Sequence, residues 1–153
     1  MLPETLKYMS DDELRPIVVG VDGSAAGAAA FRWAVEEARR HGCPIDAVSV
    51  WHMDYGVMMT PGAAESGLDP AGIEAENRSV LDAATADADD VDLRRVLIEG
   101  DVKKLLVEMS RDARMLVVGN RGHGAVAELL LGSVSAYCVS HASCPVVVVK
   151  EAS

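Results

Sequence analysis

Four glycines and two serines follow one short apolar run late in the chain. After Met115-Leu116-Val117-Val118 come Gly119, Gly122, Gly124 and Gly132, then Ser133, Val134 and Ser135. A phosphate chain needs backbone that approaches without a Cβ in the way. It also needs N–H donors that no carbonyl has claimed, which the first turn of a helix supplies. Gly122 and Gly124 permit the positive φ of a loose loop. Gly132 stands just before a helix start, where Ser133 and Ser135 offer hydroxyls and N–H groups. Glycines in a strand-to-helix turn also arise for structural reasons alone, so these residues leave a phosphate loop and a plain turn both open.

Three charged or titratable side chains accompany this segment. Arg121 inside the loop suits a phosphate partner or a solvated position. His123 suits phosphate binding or pH sensing near neutrality, or an ordinary exposed site. Asp22, in Asp22-Gly23-Ser24 after the first strand, suits a ligand-site carboxylate or an N-cap for the next helix, in competition with Ser24.

Two nucleotide motifs can be tested on the same residues. A P-loop needs GxxxxGK[ST]. Gly119 and Gly124 have that glycine spacing, but Ala125-Val126 stand where Lys-Ser/Thr belong. With no lysine to reach a γ-phosphate, efficient P-loop hydrolysis is not expected. The dinucleotide fingerprint GxGxxG/A is matched literally by Gly122 to Ala127. It belongs after the first strand, however, with an acidic residue about 20 positions on. Here Val146–Val149 occupies that place, and the match is read as chance. His41, His52 and His141 show no metal-ligand spacing with Cys43, Cys138 and Cys144. Magnesium held through nucleotide phosphates is the more plausible metal. Buried structural roles are the default for the thiols.

Alternating strands and helices must position these residues. Pro16–Val21 reads as a β-branched strand, and Ala25–His41 as an alanine-rich helix with Gly27, Ala30, Phe31, Ala34, Val35 and Ala38 on one face. Gly42 ends it. Ile45–Trp51 is a second strand. The glycine- and proline-broken stretch from His52 to Asp69 reads as a lid or a mobile connection. Asp69-Pro70 opens a helix running to about Ala88, with Val80 and Leu81 on its apolar stripe. Strands at Asp92–Ile98, Arg114–Val118 and Val146–Val149 alternate with helices at Val102–Arg111 and Ser133–His141. The last helix carries Val134, Tyr137, Cys138 and His141 on its apolar face.

This order predicts an α/β fold: a single-domain, doubly wound, five-stranded parallel sheet, Rossmann-like, with helices on both faces. Residues 1–14 read as an N-terminal arm and 15–153 as the domain. Ligands of such sheets sit beyond the carboxyl ends of the strands where strand order reverses. That rule singles out the turns after strands one and four, which carry Asp22 and the glycine segment.

Bulk composition excludes several classes of partner. The 153 residues, half of them hydrophobic, suffice for one core. A net charge of -10 argues against nucleic acid and anionic lipid as partners. Aromatics at 4% argue against a base-stacking platform. Three sparse cysteines, no apolar signal segment and no transmembrane-length run point to a cytoplasmic protein.

The spacing Gly-x2-Gly-x9-Gly-Ser at Gly119, Gly122, Gly132 and Ser133 resembles the motif of the universal stress protein family. Gly20-Val21-Asp22-Gly23-Ser24 resembles the family's first turn, and Gly100-Asp101 its third-strand exit. The resemblance covers about residues 16 to 150. It implies an adenine-nucleotide site of the ATP-binding kind, with magnesium through the phosphates. It places Gly119, Gly122, Gly132 and Ser133 at the phosphates and lets Val134 and Ser135 add contacts. It sets Asp22 on the nucleoside side or near a metal, with Gly20 of the same turn also in the binding site, and the Val50 backbone against the adenine edge. Arg121, His123 and Gly124 complete the loop. It also implies a homodimer through Val146–Val149. Val102, where relatives often carry proline after Gly-Asp, departs from the pattern in what reads as a turn.

The leading expectation is a stress-response or signalling module that binds ATP and is read by a protein partner. Slow ATP hydrolysis and a cAMP-binding version of the site are the alternatives. A ligand-free interaction protein ranks behind them.

Overall fold

Five short parallel strands form one sheet in the order β3-β2-β1-β4-β5. The computed structural model describes residues 15–66, 69–122 and 131–151. The arm expected at residues 1–14 lies outside them. The strands are β1 (Ile17–Gly20), β2 (Ile45–Trp51), β3 (Leu93–Glu99), β4 (Met115–Gly119) and β5 (Val146–Val149). The helices are α1 (Ala25–His41), α2 (Tyr55–Met58), α3 (Pro70–Ala84), α4 (Val102–Met109) and α5 (Ser133–His141).

Two cores lie on the two sheet faces, as strand alternation requires. On one face Ile17, Val19, Ile45, Ala47 and Val117 pack against α1 and against Leu81 of α3. On the other, Val18, Val48, Leu116 and Val118 pack against Leu106 of α4 and Cys138 of α5. The expected doubly wound α/β fold is the one observed.

Local chemistry explains most element ends. Ser24 caps α1 by accepting the Gly27 N–H at 3.1 Å, and Gly42 at φ 64 closes it in the left-handed region. Asp69 caps α3, with Pro70 in its first turn. Asp101 caps α4 through the Lys103 and Lys104 N–H groups. Ser24, and not Asp22, is therefore the cap of α1.

Several expectations are corrected. Helix α3 stops at Ala84, short of Ala88, because Thr85 is fully buried and tied from both sides. Its hydroxyl donates to the Leu81 carbonyl at 2.8 Å and accepts Arg95 Nε at 2.7 Å, while Arg95 also donates to the Thr85 carbonyl. A guanidinium from β3 thus takes the C-cap carbonyl of the helix. Val80 is exposed beside the buried Leu81. On α5 the buried residues are Ser135 and Cys138, whereas Tyr137 and His141 stack on one another at 4.0 Å. The stretch after β2 is not wholly irregular. It holds α2 and a 3₁₀ turn at Ala64–Ser66, and Met53 and Ala63 anchor it by burial.

Candidate functional site

β1 and β4 are neighbours, and the chain leaves them in opposite directions, to β2 and to β5. The turns at their carboxyl ends therefore face one another across a crevice. That crevice has a volume of about 420 Å³. Ten expected site residues line it. Gly20 and Asp22 come from the β1 turn, Val50 from β2, and Gly119, Arg121 and Gly122 from the end of β4. Gly132, Ser133, Val134 and Ser135 come from the start of α5. His123 and Gly124 lie outside the described residues.

The phosphate-like end is the start of α5. Gly132 is its N-cap residue and supplies no capping side chain, so the first-turn N–H groups are not claimed from that position. A Cβ built on Gly132 would meet nothing closer than 3.5 Å. Its φ of -71 suits any residue. The Arg121 Cα and the Asn120 carbonyl oxygen, both at 3.5 Å, would be in ordinary van der Waals contact with that Cβ, so neither packing nor backbone conformation demands glycine there.

The other two motif glycines serve the protein itself. A Cβ on Gly119 would stand 2.7 Å from the Ala26 backbone. That glycine lets α1 pack directly on β4. Gly122 is not among the positive-φ glycines, contrary to expectation. A Cβ there would stand 2.7 Å from Asp22 Oδ2, so a side chain at this position would oblige the carboxylate to shift.

Asn120 ties the loop ends together. Its N–H donates to Val149, and its carbonyl accepts the Gly132 N–H at 2.6 Å and the Ser135 hydroxyl at 3.1 Å. The Ser135 hydroxyl also donates to the Gly132 carbonyl. Ser135 is 2% exposed, and its hydroxyl serves the loop, which leaves its N–H as the group to consider for a ligand. Asn120 was passed over as a site residue because only the fold shows that its backbone joins three elements.

The apolar end is built from β2 and α4. Val48, Val102, Leu106 and Val118 line it together with Val50. Val102 and Leu106 lie one helical turn apart on α4 and present one face. Val102 is therefore part of the wall as well as of a turn. The Val50 backbone is open for a definite reason. β1 pairs with β2 only as far as the Val48 carbonyl, which accepts the Val21 N–H at 2.8 Å. The Trp51 carbonyl turns the other way, to the Gly100 N–H. By alternation, Val50 points its N–H and C=O to the β1 side, beyond the place where β1 has turned away.

Charge in the crevice is balanced. Among the described lining residues, Asp22 and Arg121 are the charged ones. Asp22 Oδ1 accepts the Ser24 N–H at 2.9 Å and the Ser24 hydroxyl at 2.5 Å. The cysteines stand apart from this chemistry. Burial pushes all three thiols up, Cys138 to about 11, which disfavours the reactive thiolate. Among the described residues no cluster of His, Cys, Asp and Glu has the form of a metal site, and no helix is long and apolar enough to cross a membrane.

Comparison with known proteins adds a lineage. The model of the universal stress protein family matches residues 13–150. A universal stress protein of Mycolicibacterium smegmatis is 34% identical over 141 residues, covering 87% of this chain and 47% of the relative. The chain thus spans about half the length of the curated relatives it matches. A solved family member from Burkholderia pseudomallei superposes with a TM-score of 0.67 at 29% identity, covering 92% of this chain and 98% of that one. A universal stress protein solved in complex with cAMP gives 0.67 at 24% identity, over 90% and 98%. One from Arabidopsis thaliana with AMP bound gives 0.61 at 22%, over 91% and 93%.

Proposed function

The chain belongs to the universal stress protein family, and from that premise we propose that it is an adenine-nucleotide-binding stress-response or signalling module, with ATP as its ligand. One observation carries the proposal. The crevice at the switch point joins a helix start whose N-cap, Gly132, contributes no capping side chain to an apolar slot at Val50, beyond the place where β1 stops pairing with β2. The phosphates belong at the N–H groups of Ser133, Val134 and Ser135, with Arg121 beside them. The base belongs between Val48, Val102 and Leu106, its polar edge against the Val50 backbone. A carboxylate repels bare phosphate, so Asp22 faces the ribose hydroxyls or a magnesium ion carried by the phosphates. Family members solved with cAMP and with AMP support the class of ligand.

Calorimetric titration of nucleotide-free protein with ATP, cAMP and NAD, with and without magnesium, tests this reading. Binding of ATP in the micromolar range is expected. No binding of any of the three at millimolar concentration sinks it. The cAMP-bound relative makes a cAMP-preferring site the second reading, which the same titration separates. Fast hydrolysis is not proposed. From Gly119 to Ser135 the sequence has no lysine and a single arginine, Arg121, whereas phosphoryl transfer needs positioned positive charge. A weak ATPase would depend on Asp22 and would vanish in Asp22→Ala even at ATP concentrations that saturate the weakened site. We further propose that two copies pair through β5 in the cytoplasm and that a protein partner reads the nucleotide state.

A further inference from the structure

The Asp22 carboxylate sits between two glycines from different segments. A Cβ on Gly27, near the start of α1, would stand 2.6 Å from Asp22 Oδ1, the oxygen that accepts both Ser24 hydrogen bonds. A Cβ on Gly122 would stand 2.7 Å from Oδ2. Neither distance is tolerated, so a methyl group at either position displaces the carboxylate. Gly27 lies within α1 and is not among the positive-φ glycines, so conformational freedom does not account for it. A glycine inside a helix costs roughly 0.5–1 kcal/mol relative to alanine. Apart from Asp22, the nearest atom to that Cβ is the Ser24 hydroxyl oxygen at 3.2 Å. Asp22, Gly27 and Gly122 all line the crevice.

We propose that Gly27 is a positioning residue: with Gly122 it sets the pose of the Asp22 carboxylate, and through it the seat of the ligand's ribose. This rests on the nucleotide reading above. Gly27 touches no ligand itself. It acts by leaving room for the carboxylate to line the crevice while accepting the Ser24 N–H. The helix gives up propensity at this position for the sake of the site.

Four proteins test it: wild type, Gly27→Ala, Asp22→Ala and the double variant. Alanine favours the helix, while its Cβ crowds the capping Ser24 hydroxyl, so Gly27→Ala is first checked for a cooperative unfolding transition. In nucleotide-free protein, the Ser24 and Gly122 amide resonances should move in Gly27→Ala, and the double variant should match Asp22→Ala. An unmoved Ser24 amide overturns the positioning role. With AMP in EDTA, Gly27→Ala should weaken binding about tenfold, the scale of one hydrogen bond to a charged group. On the Asp22→Ala background the same change should have almost no effect. Equal losses on both backgrounds overturn the proposal, because Gly27 would then act without the carboxylate. If wild type binds no nucleotide, the ribose half falls with the nucleotide reading, and the amide resonances still decide whether Gly27 sets Asp22.

Discussion

Gly132 is the residue at which ligand space and protein packing separate most cleanly. Its Cβ position is clear of protein to 3.5 Å, and its backbone suits any side chain. Gly132→Val should therefore fold, at a cost of about 1 kcal/mol for a poorer cap, yet lose nucleotide binding up to millimolar concentration. Retained affinity with retained fold would show that the phosphates lie elsewhere. Gly119→Val makes the contrast, since its side chain would meet the Ala26 backbone and fail in packing. The buried thiols are felt through pH. Burial raises Cys138 from its ordinary 9.0 to about 11. Above pH 9 the unfolded chain releases this proton while the folded chain keeps it, so stability falls as pH rises from 9 toward 11. Urea midpoints across that range should drop less steeply in Cys138→Ala than in wild type. An unchanged slope would assign the alkaline loss to other groups.

At the scale of elements, the ends of helices carry the information that periodicity lacks. Caps written in adjacent residues, such as Ser24 and Asp69, were legible because a short side chain reaches N–H groups two or three residues on, whereas Asp101, read only as a strand exit, caps α4 in the same way. The end of α3 was not legible, because Arg95 reaches Thr85 from another element. Thr85→Val keeps the shape and removes the hydroxyl, leaving Arg95 Nε without this acceptor. A loss of about 1–3 kcal/mol in urea unfolding is expected. No loss would mean that Arg95 is satisfied by Asp82, 3.9 Å away. The loop from β4 to α5 follows the same logic. Its motif glycines could be found by spacing, but the fold gives Gly119 to packing, Gly122 to Asp22 and Gly132 to the N-cap of α5.

For the whole molecule the question is what covers β5. Four valines form this edge, all half-buried, and a long apolar edge invites pairing. The opposite edge, β3, is marked by charge, with Arg94 paired to Asp46. The hydrogen bonds of β5 suggest a selective test. The Pro145 and Val149 carbonyls face β4, accepting from Leu116 and Asn120. By alternation Val148 turns its N–H outward. Val148→Pro should then keep the β4 pairing and the fold while removing an edge donor. Light scattering should report a dimer for wild type and a monomer for the variant. A wild-type monomer would refute pairing through β5.

Sequence alone determined the element order and the parallel sheet, because local periodicity and turn chemistry are written in neighbouring residues, while the family resemblance supplied residues such as Val50 among the ten expected ones that line the crevice. The tertiary structure decided which groups share a space. It assigned Val48, Val102, Leu106 and Gly27 to the crevice wall, because a wall is made by strands and helices distant in the chain. It closed the Ser135 hydroxyl into the loop and opened the Val50 backbone, because hydrogen bonds are claimed across elements and only the register shows which remain.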